Sequence, residues 1–213
     1  MVLLSARRPV ILAAGVLVVA LCFGAGLLIG SRAGTPADDS VEAGFARDMA
    51  THHAQAVDMA FLVRDKSSDH HVRTLASDII VTQSTQRGMF MGWVQQWGLP
   101  QASSRPRMAW MPGHAPQAPP VEGQALMHGM ATDAEMRELA DATGVDAEIR
   151  FLQLMIRHHE GGIVMARALL ALSDRRELVQ MAKSIDEGQG AEIVLMRNML
   201  TARGAQPLAS ILE

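Results

Sequence analysis

Apolar side chains recur every three or four positions along four long stretches of the chain, which is the spacing of one face of an α-helix. The pattern predicts long helices over residues 41–66, 69–97, 146–172 and 174–203. A Thr-Asp-Ala-Glu sequence at 132–135 is typical of a capping box and predicts a short helix over 132–143, ended by Gly144. The predicted fold class is all-α.

The helical pattern repeats itself at a constant offset of 106 residues. Eleven residues are identical between segments 45–98 and 151–204, with no gap. They include the motif Met-x-x-His-His, followed after five residues by Met-Ala, which begins at Met49 and again at Met155. Two copies of an amphipathic hairpin each leave an apolar face to bury. Residues 41–204 are therefore predicted to form a four-helix bundle, with residues 99–145 as the crossover.

The N-terminal segment has the composition of a membrane helix. Residues 10–30 carry no charge and are mostly aliphatic, and about 20 such residues cross a bilayer as a helix. Arg7 and Arg8 precede them, so the positive-inside rule places residues 1–9 in the cytoplasm. This predicts a single-pass anchor in the cell membrane, a linker over 31–40 and a bundle outside the cytoplasm. A cleaved signal peptide, which would release a secreted domain, is the alternative.

Charge and cysteine content narrow the functional classes. Three of the 19 basic residues and none of the 22 acidic ones precede residue 36, so the exported part is acidic. Nucleic acid is excluded as a partner, because phosphate binding needs a basic face. The single cysteine, Cys22, lies in the apolar segment and cannot form a disulfide within the bundle. No nucleophile, phosphate loop or di-iron Glu-x-x-His pair is present, so we expect no enzyme activity.

The duplicated motif predicts a metal site. Residues three, four and seven positions apart share a helix face, so the Met and His residues of each motif align. Neutral imidazole and thioether donors suit copper, with Cu(I) favoured and Cu(II) permitted. The candidate ligands are His52, His53, His158, His159, Met49, Met59, Met155 and Met165. The alternative is a buried polar layer that serves packing only, with Met filling core gaps.

Two further sets of residues belong to this hypothesis. Polar residues on the second helix of each hairpin stand where they can hydrogen-bond the imidazoles, namely Gln83, Gln86, Gln189 and Glu192. The crossover carries a looser soft-metal capture set, or a set that simply docks on the bundle, formed by Met111, His114, Met127, His128 and Met130. The pair His70-His71 is not repeated and is predicted to lie on the surface.

These motifs resemble the bacterial family called domain of unknown function 305. The resemblance rests on the doubled Met-His-His-Met motif, on Gln189 and Glu192, and on Met-His-Gly-Met before Thr132, and it covers residues 41–203. It implies a ferritin-like four-helix bundle, commonly exported or membrane-anchored, and some members are periplasmic copper-binding proteins. The first copy departs from the family pattern at Ala50-Thr51, and it has Gln86 where the second copy has Glu192.

The expected protein is therefore a membrane-anchored, extracytoplasmic helical bundle that sequesters or delivers copper. Its expected partners are the membrane and other copper-handling proteins. The competing hypothesis is a non-catalytic structural or adaptor bundle whose His layer serves packing. The sequence sets no oligomeric state.

Overall fold

The computed structural model describes residues 34–113 and 127–212, and the chain from Pro36 onward forms one compact unit. In this described part the regular structure consists of helices. The four long helices are α1 (Val41–Lys66), α2 (His70–Gln96), α4 (Gly144–Leu172) and α5 (Arg176–Ala202), and the short α3 (Asp133–Asp141) precedes α4. The predicted all-α class is confirmed.

Local capping chemistry sets most helix starts. Asp69 caps α2 by accepting hydrogen bonds from the backbone N–H groups of His71 and Val72. Thr132 and Glu135 form the predicted capping box at the start of α3. Gly144 was expected to end the short helix, but it opens α4 with φ +54°. The last helix begins at residue 176 rather than 174 and has no side-chain cap.

The two predicted hairpins are formed by α1 with α2 and by α4 with α5, and they meet through α1 and α4. Two apolar clusters fill the interior. The first core cluster includes Phe45, Met49, Phe90, Trp110, Met165 and Ile185. The second core cluster includes Met59, Ile79, Leu139, Phe151, Met155 and Met196. All four long helices contribute to both clusters, and α1 and α4 form the middle of the fold because the two hairpins contact each other through them.

Duplicated hydrogen bonds tie each hairpin to the other. The carboxylate of Glu148, near the start of α4, accepts a 2.5 Å hydrogen bond from Ser67 at the α1–α2 junction. Glu42, in the first turn of α1, accepts the equivalent 2.6 Å bond from Ser173 at the α4–α5 junction. Both members of each pair are 106 residues from their counterparts. The repeat therefore starts earlier than the predicted 45–98.

The crossover is anchored on the first hairpin by Asp48. This buried carboxylate accepts hydrogen bonds from the backbone N–H of Met108 at 2.8 Å and from the indole Nε1 of Trp110 at 3.0 Å. Arg107 adds an ion pair at 3.0 Å. The repeat counterpart of Asp48 is Leu154, so the second hairpin has no equivalent anchor. The crossover consequently packs its Trp and Met side chains into the first core cluster.

None of the helices within the described ranges is long and apolar enough to cross a membrane. The predicted anchor, residues 10–30, and the preceding residues 1–9 lie outside those ranges.

Candidate metal centre

Four imidazoles form one buried layer at the centre of the fold. His52 and His53 come from α1, His158 and His159 from α4, and all four side chains are fully buried. The rings of His52 and His158 stack across the two helices, with centroids 3.7 Å apart and planes tilted by 32°. Within each helix the two neighbouring rings are 6.4 Å apart. The structure thus brings the two copies of the motif together.

Backbone carbonyls orient the stacked pair. The Nε2 of His158 donates to the carbonyl oxygen of His52 at 3.0 Å, and the Nε2 of His52 donates to the carbonyl oxygen of His128 at 3.3 Å. A carbonyl oxygen can only accept, so both rings carry their proton on Nε2. This leaves the lone pair of each ring on Nδ1.

Side chains of the outer helices orient the other two rings. The Nε2 of His53 donates to the amide oxygen of Gln86 at 2.8 Å. The Nε2 of His159 donates to the carboxylate of Glu192 at 2.5 Å. Gln86 and Glu192 occupy equivalent positions of the repeat. These rings therefore adopt the same tautomer as the stacked pair, with Nδ1 free to accept or to bind a cation.

The Nδ1 atoms of the four rings are among the buried polar atoms of the described residues that lack a hydrogen-bond partner. All four are buried and have no hydrogen-bond partner within the described residues. A buried polar atom left without a partner costs about 1–3 kcal/mol, so such atoms in a native fold need an explanation. A metal-binding histidine usually donates its other ring N–H to a carbonyl or carboxylate, and rings held through Nε2–H in this way would bind a metal ion through Nδ1.

The protonation state also suits a cation. Burial, followed by the charge that neighbouring His53 would carry, lowers the pKa of His52 to about 3. Burial lowers the pKa of His53 to about 4, and it lowers the pKa of His158 well below the usual range. These three rings are therefore neutral at pH 7, and neutral imidazole is the form that binds metals.

The motif methionines flank this layer. Met49, Met59, Met155 and Met165 are all fully buried. Met49 lies with Met165 in the first core cluster, and Met59 lies with Met155 in the second. The central helices therefore pass each other antiparallel, with the imidazole layer between the two clusters. Within the described residues, no group of three or more His, Cys, Asp or Glu side chains is placed to hold a metal ion.

The other residues singled out in the sequence differ in how deeply they are buried. Gln83 and Gln189 are buried, and their amide atoms make no hydrogen bond within the described residues. Three methionines of the predicted capture set pack into the first core cluster with Met49 and Met165, namely Met111, Met127 and Met130. The side chain of His128, from the same set, is exposed. The capture residue His114 lies outside the described ranges. His70 and His71 are exposed, as predicted.

Sequence reasoning missed the loop that orients His52. Gln55 of α1 bonds both the N–H and the carbonyl of Ala131, at 2.7 and 2.9 Å. Gly161 of α4 lies directly against the His128 carbonyl, where an added Cβ would overlap the oxygen. Gln55 and Gly161 are repeat counterparts that differ. The difference between Gln55 and Gly161, close to the repeated His-His pair, was thus the sequence signal for this contact.

Glu160 was also missed, and it holds the C-terminal tail. Its buried carboxylate accepts hydrogen bonds from the hydroxyl of Ser210 and the N–H of Ile211, each at 3.0 Å, and pairs with Arg197 at 3.2 Å. Glu160 directly follows His159, but its oxygens are engaged away from the imidazole layer. It anchors the tail along α4.

The tautomers can be tested without metal. We expect the ring nitrogens of His52, His53 and His158 in the metal-free protein at pH 7 to show protonated Nε2 and unprotonated Nδ1 in long-range 15N–1H spectra. The exposed His70 and His71 serve as internal controls, because solvent reaches their rings. A signal for protonated Nδ1 in the buried rings would contradict the assignment.

The fold and the site define a class of protein. It is an all-helical protein of two duplicated hairpins that buries an imidazole layer between its central helices. The model of the DUF305 family (domain of unknown function) matches residues 42–200, and the chain belongs to this family.

Solved structures of similar proteins include two DUF305 members. The chain is 44% identical to a DUF305 protein from Streptomyces coelicolor that is described as secreted, covering 81% of this chain and 99% of that one, with a TM-score of 0.74. It is 33% identical to a DUF305 fragment from Deinococcus radiodurans, covering 76% and 96%, with a TM-score of 0.63. No curated protein matches the chain.

A third similar structure is CopM. CopM in its Cu(II)-bound form is 26% identical, covers 77% of this chain and 97% of that one, and gives a TM-score of 0.60. Its Cu(I)-bound form is 25% identical, with the same coverage and a TM-score of 0.56.

Proposed function

We propose that the protein is an extracytoplasmic copper-binding protein that sequesters or delivers the ion without turnover. The observation that carries this proposal is the set of four buried Nδ1 atoms that lack a partner within residues 34–113 and 127–212, on rings whose Nε2–H groups are already held. The copper-bound CopM structures and the relative described as secreted support it.

The proposed ligands are the four imidazoles together with the thioethers of Met49, Met59, Met155 and Met165. This uncharged, partly sulfur donor set favours Cu(I), and the imidazoles permit Cu(II). Gln83 and Gln189 supply unpaired amide atoms in the same interior, suited to hydrogen-bonding a water or other small ligand that accompanies the ion. Three crossover methionines would supply further thioether donors in the cluster that contains Met49 and Met165, namely Met111, Met127 and Met130.

We further propose that residues 10–30 tether the protein to the membrane. The bundle would then hold copper close to that surface, where other copper-handling proteins can receive it. A secreted domain released by signal cleavage would bind copper with the same residues, so the metal-binding proposal does not depend on the anchor.

The competing function is a structural or adaptor bundle whose histidines serve packing. In that case the interior would be expected to satisfy its polar atoms, as native cores generally do. Four unpartnered Nδ1 atoms and two unpartnered amides run against that expectation. The geometry therefore favours a ligand.

Copper retention tests the proposal. We expect the purified protein, loaded with Cu(I) or Cu(II) and desalted, to retain copper, and a His158→Ala/His159→Ala variant to retain it at least about tenfold less tightly, because it loses two nitrogen donors. The matched control is His70→Ala/His71→Ala, which removes another pair of consecutive histidines. Both of these residues are exposed, so copper retention should be unchanged. Equal loss in both variants, or no retention by the parent, would refute copper binding.

A further inference from the structure

The two halves of the imidazole layer differ in the group that holds the outer ring. His53 donates to the neutral amide of Gln86, whereas His159 donates to the carboxylate of Glu192. These two positions are repeat counterparts and act on equivalent atoms. We call the His53–Gln86 pair the amide half-site and the His159–Glu192 pair the carboxylate half-site.

The charge on Glu192 is not neutralised by another side chain. Its side chain is 26% exposed, and within the described residues it forms no ion pair with Lys or Arg; its partner is His159. The carboxylate lies directly behind the imidazole, on the side opposite Nδ1. A negative charge there makes the ring a more basic donor and stabilises positive charge bound at Nδ1.

The amide half-site has no charged group behind its ring. Gln86 supplies a dipole without net charge, and the ring of Phe90 lies 5.9 Å from that of His53 in an edge-on contact. Phe90 is fully buried, and Met196 occupies its counterpart position in the other hairpin. An uncharged, apolar surrounding penalises a dication more than a monocation. The two half-sites therefore present the same ring, held by a neutral amide in one and by a carboxylate in the other.

We propose that Glu192 and Gln86 set the oxidation state of copper that each half-site prefers, with Cu(II) favoured at His159 and Cu(I) favoured at His53. This inference rests on the proposed copper function. Both residues act through the imidazole and are positioning residues. The asymmetry would let one bundle hold copper in either state, which suits a compartment where both ions occur.

Exchanging the two residues tests the inference. The variants are Glu192→Gln, Gln86→Glu and the double exchange, each of which places a side chain where the repeat already accommodates it. Affinities for Cu(I) and for Cu(II) are measured separately by competition with chelators, and the reduction potential of the bound copper is measured directly. Thermal melts of the metal-free proteins show that each variant is folded.

Glu192→Gln is expected to lower the Cu(II) affinity about tenfold while leaving the Cu(I) affinity within about threefold, since a unit charge behind the ring acts mainly on the dication. A tenfold fall in the ratio of the Cu(II) affinity to the Cu(I) affinity corresponds to a rise of ~59 mV in the one-electron reduction potential of the bound copper. Gln86→Glu should shift both quantities in the opposite direction. The double exchange, which conserves composition and net charge, should return the ratio close to that of the parent.

The contrary outcomes are distinct. Equal weakening of both ions by Glu192→Gln would show that the carboxylate merely holds the ring in place, and it would overturn the inference while leaving copper binding intact. An unchanged ratio in all three variants would overturn it as well. A parent that binds neither ion would overturn the proposed function and this inference with it.

Discussion

Acidifying the metal-free protein from pH 7 to pH 5 is expected to lower its free energy of unfolding by about 6 kcal/mol, from three buried imidazoles that each contribute about 2 kcal/mol. Burial holds the pKa of His52 at about 3 and that of His53 at about 4, and it keeps the pKa of His158 well below the usual range. In the unfolded chain the same rings titrate near pH 6.5.

The free energy of unfolding falls with pH because the unfolded chain takes up protons that the folded protein does not. Between pH 6.5 and about 4 the unfolded chain binds protons that the folded protein does not, so unfolding is favoured as the pH falls. The stability is fully present above pH 6.5 and is lost progressively below it. Urea unfolding at several pH values between 5 and 7.5 measures the slope.

Two variants make the pH result specific. His158→Gln removes one of the three titrating rings and should lower the slope by about a third, because each ring contributes one proton to the difference. His70→Ala, at an exposed position, serves as the control substitution. A parent protein whose stability does not vary over this range would contradict the burial of neutral imidazoles.

Gly161→Ala is expected to destabilise the protein by about 3 kcal/mol, because its new methyl group would overlap the carbonyl of His128. The same atom would lie 3.0 Å from the Cα of Gly129, which has φ +76° and shares the close approach. Both obstacles are backbone, which no rotamer change can move. The loop must therefore shift away from α4.

Gly161→Ala should also disturb the hydrogen bond that orients His52 in the imidazole layer. The displaced carbonyl is the acceptor for the Nε2–H of His52, so the ring nitrogen signals of His52 should shift, whereas those of His53, which is held by Gln86, should stay in place. Denaturant unfolding gives the stability change, and 15N–1H spectra give the local one.

A glycine on α5 provides the matched control. A Cβ added at Gly188 meets nothing within 4 Å, so Gly188→Ala should raise the stability by roughly 1 kcal/mol through helix propensity. If Gly161→Ala behaved in the same way, the close packing of the loop on α4 would be refuted.

The sequence allowed the helices and their pairing to be predicted because both are local or repeated properties. Periodicity located four long helices to within a few residues, and the constant offset of 106 paired the hairpins and set His52 opposite His158 in the repeat. The capping box at Thr132 could be predicted from the sequence because such a cap is formed by residues three positions apart. The family resemblance agreed with the model match over residues 42–200.

The remaining features depend on contacts that periodicity does not encode. The antiparallel crossing of α1 and α4 decides that Met49 meets Met165 rather than Met155, and a helix face alone cannot specify a crossing. The acceptor for His52 is a carbonyl of the crossover, a segment with no counterpart in the repeat. Asp48 and Glu160, which anchor the crossover and the tail, likewise have apolar counterparts, Leu154 and Ala54.

The stacked His52–His158 pair exists only where two hairpins meet. A polypeptide with one hairpin would carry a single His-His pair and half of the layer, and the hydrogen bonds between Ser67 and Glu148 and between Ser173 and Glu42 would have no partners within it. Two identical hairpins, related by a two-fold axis through the imidazoles, would supply all of them. Because both copies lie in one chain, their sequences can differ, so that one ring is held by an amide and the other by a carboxylate, which identical subunits could not achieve.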